Sequence, residues 1–207
     1  IEGNNISDLD WGSATAKTVT LSFWIQCSLT GTFGGCLNNS ANDRVYPFSY
    51  TINSANTWEF KTITIPGATA GTWLKDNGIG VAVLLSLGTG STYLTSTPNV
   101  WGTTIYQGVT GQTNLIGTLN ATMYITGVQF EVGTAATPFE KRPYTTELQL
   151  CQRYYELILG GGHWVTTSTN YVGSVITFAV QKRAAPTVTR ISDQTISNMN
   201  TPYGQNA

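Results

Sequence analysis

The sequence predicts an all-β protein: an antiparallel jelly-roll β-sandwich with one short connecting helix and a partial β region at its C-terminal end. Three observations carry this. Apolar and polar side chains alternate with period two in successive runs, clusters of Gly, Asn, Ser and Pro separate the runs, and a single segment shows helical spacing. Strand runs that follow one another without helical patterns between them argue against parallel βαβ units and for two antiparallel sheets.

The first run, Thr18 to Cys27, puts Leu21, Phe23 and Ile25 on one face of a strand and Trp24 on the other. Trp24 then either fills the core or lines an exposed concave sheet. Runs at Val45 to Ile52, Trp58 to Ile65, Ile79 to Leu87 and Ala121 to Val132 repeat the pattern, and Trp58 is expected in the core. In the last run Ile125, Val128, Phe130 and Val132 do not share parity, so a local irregularity is expected around Gly127. Thr137-Pro138-Phe139 turns the chain off the sheet, with Phe139 plugging the sandwich edge.

A helix follows. Thr145 or Thr146 caps it, Glu147 sits in its first turn, and Leu148, Cys151 and Tyr155 with Leu150, Tyr154, Leu157 and Ile158 recur at three- and four-residue spacing until Gly160, Gly161 and Gly162 stop it. Arg153 lies within helical reach of Glu147 or Glu156. Strand-like sequence resumes at Asn170 to Gln181 and Ala185 to Ile191. The expected organisation is a jelly roll over 1–143, a connector helix over 144–159 and the start of a second β region over 160–207. The chain reads as a piece of a longer protein.

Charged residues make up only 10% of the chain, against roughly 25% in an average soluble domain, so hydroxyls and amides supply most of the polarity. Net charge is −1, and no basic cluster exceeds Lys141-Arg142 or Lys182-Arg183, which excludes a phosphate-tracking nucleic-acid surface. No apolar run approaches the roughly 20 residues of a spanning helix, so no membrane partner is expected. The three cysteines are too few for a disulfide framework and read as thiols made in a reducing cytoplasm. A bridge between Cys27 and Cys36 across a hairpin stays open.

Catalytic signatures are weak. The only histidine, His163, lies beside three glycines, a poor place to hold an imidazole for a Ser-His-Asp arrangement. Glu131 and Glu140 read as strand-end carboxylates that hydrogen-bond a turn in preference to a glycosidase pair. A Cys/His quartet for zinc is missing, and Glu2, Asp8 and Asp10 form a weak calcium candidate whose alternative is a loop of Asx turns. No cofactor is expected. The six tryptophans and ten tyrosines matter more, because aromatic faces stack on sugar rings while their polar tips bind hydroxyls. Trp73, Tyr93, Trp101 and Tyr106 lie in Gly/Thr/Ser/Asn-rich loops and are the glycan-binding candidates, with subunit contacts as the competing role.

The segment ITGVQFEVGTAATPFEKRPY (125–144), followed by ELQLCQRYYE (147–156), resembles a module of bacteriophage tail fibres and other virion structural proteins. The resemblance extends upstream in order through LSFW (21–24), YTI (50–52), NTWE (56–59), TITIPG (62–67) and GTW (71–73). It implies a carbohydrate-binding-like jelly roll, here lacking its first strands, used as a structural or receptor-binding unit of the virion and commonly trimeric; enzymatic activity is not implied. Cys27 and Cys36 fall where similar sequences have small polar residues. The expected function is therefore a phage virion component of a tail fibre or surface appendage, acting as spacer or host-glycan receptor-binding module. Its expected partners are further copies of itself, other virion proteins and a host surface glycan. The alternatives are a carbohydrate-binding module accessory to a polysaccharide-degrading enzyme and a capsid-decorating fibre.

Overall fold

The computed structural model describes residues 1–158, 163–166, 172–175 and 177–189. The chain divides into two compact units, Ile1–Arg142 and Pro143–Ala207.

Apart from two short 3₁₀ turns, the regular elements of the first unit are all β-strands. A 3₁₀ turn, Gly3–Leu9, precedes β1 (Val19–Cys27), β2 (Gly31–Asn38), β3 (Val45–Ile52), β4 (Glu59–Ile65) and β5 (Ala82–Leu85). A second 3₁₀ turn, Ser91–Tyr93, is followed by the two-residue strands β6 (Leu94–Thr95) and β7 (Gly108–Val109), and β8 (Met123–Val132) closes the unit. Two antiparallel sheets result, ordered β4-β1-β8 and β3-β2-β5, while β6 and β7 form a short parallel pair.

Period-two alternation explains how both sheets feed one core. Val19, Leu21, Phe23, Ile25 and Cys27 of β1 meet Phe33 and Leu37 of β2 and Tyr46, Phe48, Tyr50 and Ile52 of β3 in a single buried cluster. Phe23 and Tyr50, from different sheets, pack edge to face with ring centroids 5.4 Å apart. Cys27 and Cys36 are both buried free thiols on strands of different sheets, so the hairpin bridge does not form.

β2 is the longest of the strands that the alternation pattern leaves unannounced, and its glycines explain why. A Cβ on Gly35 would come within 2.6 Å of Cζ of Phe48 and would also strike the carbonyl oxygen of Leu84. On the other face, a Cβ on Gly34 would come within 2.5 Å of the Gln112 amide oxygen and 3.0 Å of the Gly108 Cα. Glycine here lets a ring and a neighbouring backbone lie directly on the strand.

The outer face of this second sheet is covered by the 86–113 segment rather than by water. Val45 exchanges backbone hydrogen bonds with Gly102 at 2.9 and 2.8 Å, and Asn99 N–H donates to the Pro47 carbonyl at 2.7 Å. Pro47, which has no N–H to give, sits on the edge strand β3, where a ladder donor is least missed. The β2–β3 connection is fastened by Asn39, which is fully buried: its amide donates to Asp43 (2.6 Å) and to the Thr72 carbonyl (3.0 Å), and its oxygen accepts from the Asp43 and Arg44 backbone.

The irregularity expected at Gly127 is present: the β1–β8 register shifts between Ser22 and Trp24, and Gly127 takes φ +58°. Two aromatic expectations are corrected. Trp58 is 43% exposed rather than in the core, since it shares parity with outward-facing Phe60. Phe139 is half-exposed beside Gly127 and Trp24 rather than plugging an edge, because Thr137 to Glu140 folds back along β8.

The second unit opens with α1 (Tyr144–Gln152), shorter than the expected 144–159. Pro143, not Thr145 or Thr146, occupies the N-cap, and no side chain caps the helix; Pro143 instead offers its carbonyl to the Thr146 and Glu147 N–H groups. β9 (His163–Thr166) and β10 (Val172–Val175) pair antiparallel, which places His163 at a strand start rather than in a loop. Between Asn170 and Gln181 the described strand is confined to Val172–Val175, and Ala185 to Val188 form no strand; Asn170 and Ile191 lie outside the described residues. Glu156 pairs with Lys182, whose ammonium also lies 4.9 Å from the Phe178 ring centroid.

Candidate functional site

Three indoles organise the loops of the first unit. Trp11 stands edge-on to Trp73 (4.7 Å) and to Trp101 (5.4 Å), and Trp73 and Trp101 are 5.6 Å apart, with Tyr46 5.1 Å from Trp101. Every indole N–H is used: Trp11 donates to Lys17 O, Trp73 to Ala70 O and Trp101 to Pro66 O. Edge-to-face pairs contribute about 0.5–1.5 kcal/mol beyond area burial, so this cluster ties the 66–73 and 101 loops to the core. Trp73 is only 6% exposed and has no open face to offer a sugar. Its role is structural, which the glycine-rich loop sequence around it concealed.

The other candidates fare differently. A depression of about 400 Å³ lies on the outer side of edge strand β3, floored by Val45 and Pro47 and walled by the 94–110 segment. Trp101 and Tyr106 both line it. Tyr93 is 46% exposed in the adjoining 3₁₀ turn, with its carbonyl accepting from Gln107 N–H, and does not line the depression. The remaining wall is hydroxyl-bearing: Thr95, Ser96, Thr97, Thr104 and Thr110. Thr95 is buried, and its Oγ1 accepts the Thr97 N–H at 3.0 Å, which fixes the turn that presents Ser96 and Thr97. The sequence signalled this wall only as a Ser/Thr-rich stretch between aromatics. Its convergence on Val45 and Pro47 depends on the pairing of Val45 with Gly102, which no local pattern announces.

A second aromatic feature covers the outer face of the β4-β1-β8 sheet. Trp24 (43% exposed) packs on its cross-strand partner Phe60 with centroids 5.3 Å apart, and Tyr124, opposite Gln26, is exposed on the same face. Of the two roles open to Trp24, the outward one is realised. This face follows from alternation on β1 and β4.

The acidic residues act as fasteners. Glu131 accepts hydrogen bonds from the Thr137 hydroxyl (2.6 Å), the Gln129 amide (2.8 Å) and the Thr137 N–H (2.9 Å), and these donors hold its carboxyl below the usual carboxylate range. That is the strand-end role expected of it. Glu140 instead pairs with Arg142 at 3.2 Å, while its own N–H donates to Gln129. Glu59 caps the turn after β3: the Lys61 ammonium, with the N–H groups of Ser54 and Asn53, draws its pKa down to about 2. Burial pushes the Cys36 thiol up to about 11, which leaves it a packing group rather than a nucleophile.

The calcium candidate does not assemble. Glu2 is buried and takes the Asn4 amide, Asp8 is exposed, and among the described residues no three His, Cys, Asp or Glu side chains gather into a metal-holding group. Likewise, no helix among the described residues is long and apolar enough to cross a membrane. Comparison with family models, with curated proteins and with solved structures returns no match.

Proposed function

We propose that this chain is a non-catalytic structural protein of a bacteriophage virion, a component of a tail fibre or another surface appendage. In this reading its two sheets form a jelly-roll sandwich that serves as a spacer or as a host-glycan receptor-binding module. The resemblance over 125–156 supports the virion assignment. The depression on β3 carries the receptor role, because it joins an aromatic wall to a rim of free hydroxyls on a rigid β scaffold. A surface with 10% charged residues, dominated by hydroxyls and amides, suits a protein that meets a polysaccharide coat.

The exposed aromatic face around Trp24 and Phe60 suits burial between copies of the chain, and a homotrimer is the proposed assembly. The protein is made in the bacterial cytoplasm and resides on the particle surface or tail. Purified chain, added to a phage adsorption assay, should slow adsorption in proportion to its concentration, and Tyr106→Ala should remove that competition without lowering the melting temperature. Equal competition by the variant would contradict a receptor role for the depression.

A further inference from the structure

The depression on β3 is selective in a way its general shape does not require. None of its lining residues is Asp, Glu, Lys, Arg or His. Among the described residues, the hydroxyls of Ser96, Thr97, Thr104, Thr110 and Tyr106 have no hydrogen-bond partner, which leaves each able to donate and accept. Trp101 is different: its N–H is committed to Pro66 O and its ring is braced by Trp11, Trp73 and Tyr46, so it contributes a fixed apolar wall rather than a mobile plate. Val45 and Pro47 supply an apolar floor.

We infer that the ligand of this depression is a neutral sugar, a hexose or N-acetylhexosamine unit without carboxylate, phosphate or sulfate. The inference rests on the receptor reading above and narrows it. Sugar hydroxyls both donate and accept, as the free hydroxyls of the rim do, and the CH-rich face of a pyranose finds the Trp101 wall and the floor. An acidic sugar entering the same space loses part of its hydration and meets no cation in return, which penalises it. The volume of about 400 Å³ lies within the roughly 300–1,000 Å³ of small-molecule sites. Discrimination thus comes from withheld charge as much as from offered hydroxyls.

The test uses the purified full chain against two matched sets of immobilised oligosaccharides: neutral hexose and N-acetylhexosamine chains, and the same chains ending in sialic acid, a uronic acid or a phosphate. Neutral chains should bind at least tenfold tighter than their acidic counterparts, with affinity unchanged between 50 and 500 mM salt because no ion pair is involved. Thr104→Val and Tyr106→Phe, which delete hydroxyls at nearly constant volume, should each weaken binding severalfold at an unchanged melting temperature. Acidic chains that bind as well as or better than neutral ones, or an affinity that falls steeply with salt, would overturn the neutral-sugar inference while leaving the receptor reading standing. No binding to either set, or binding that both variants leave intact, would overturn the receptor reading and this inference with it.

Discussion

Tyr50 shows how much the core rests on shape rather than polarity. Its ring stacks on Phe33 at 5.9 Å and meets Phe23 edge-on, yet its hydroxyl is buried with no hydrogen-bond partner among the described residues, and burial drives its pKa upward. A buried unsatisfied hydroxyl costs on the order of 1–3 kcal/mol, so Tyr50→Phe should stabilise the protein by about 1 kcal/mol, read as a higher denaturation midpoint at unchanged slope. Glu59 is the opposite case, a surface carboxylate that gathers donors from Lys61, Ser54 and Asn53. Its folded-state pKa of about 2 lies below the ordinary 4.5, so its contribution is complete above about pH 4.5 and fades as pH falls towards 2. The melting-temperature gap between the wild type and Glu59→Gln should therefore be widest near pH 6 and shrink on acidification to pH 2; a gap independent of pH would contradict this. Single residues of this kind were only partly legible. The strand-end role of Glu131 could be read from its place before a turn, whereas the exposure of Trp58 could not, because an alternating run does not say which of its faces is inward.

At the level of elements, alternation announced β1 and β3 because each carries large apolar side chains at every second position facing one core, and it announced β4 and β8 through shorter stretches of the same pattern, of which Ile63 and Ile65 of β4 are buried and Met123 and Phe130 of β8 partly so. β2 escaped because Gly31, Gly34 and Gly35 interrupt any such pattern, and two of these glycines answer to tertiary packing: the Phe48 ring against Gly35 and the Gly108 backbone against Gly34. Gly35→Ala should accordingly cost roughly 1–3 kcal/mol or more through overpacking against Phe48 and the Leu84 carbonyl, whereas alanine at Gly90, which faces open space, should be nearly neutral. Equal effects at the two sites would show that the β2 contacts are not tight. The helix was legible in existence but not in extent, since tertiary context rather than periodicity decides where a short amphipathic segment ends.

For the whole molecule, the sequence shows a chain that must bury β-strand faces and that carries little charge, and the two sheets sharing one core meet that demand. The candidate site was half legible. Trp101 and Tyr106 were singled out as aromatics in hydroxyl-rich loops and do line one depression, but Trp73, from the same kind of loop, is a structural indole. The difference lies in long-range pairing: the Val45–Gly102 bridge folds one aromatic loop over a sheet edge, while the Trp11 contact draws the other inward. Both events join residues distant in sequence, which local patterns do not encode. The central proposal, that this β protein belongs to a phage virion, is tested most directly by peptide mass spectrometry of purified phage particles from a culture that carries its gene. Peptides from 1–142 are expected in the particle at a copy number matching a tail fibre or surface appendage. Their absence from intact, infectious particles would contradict the account.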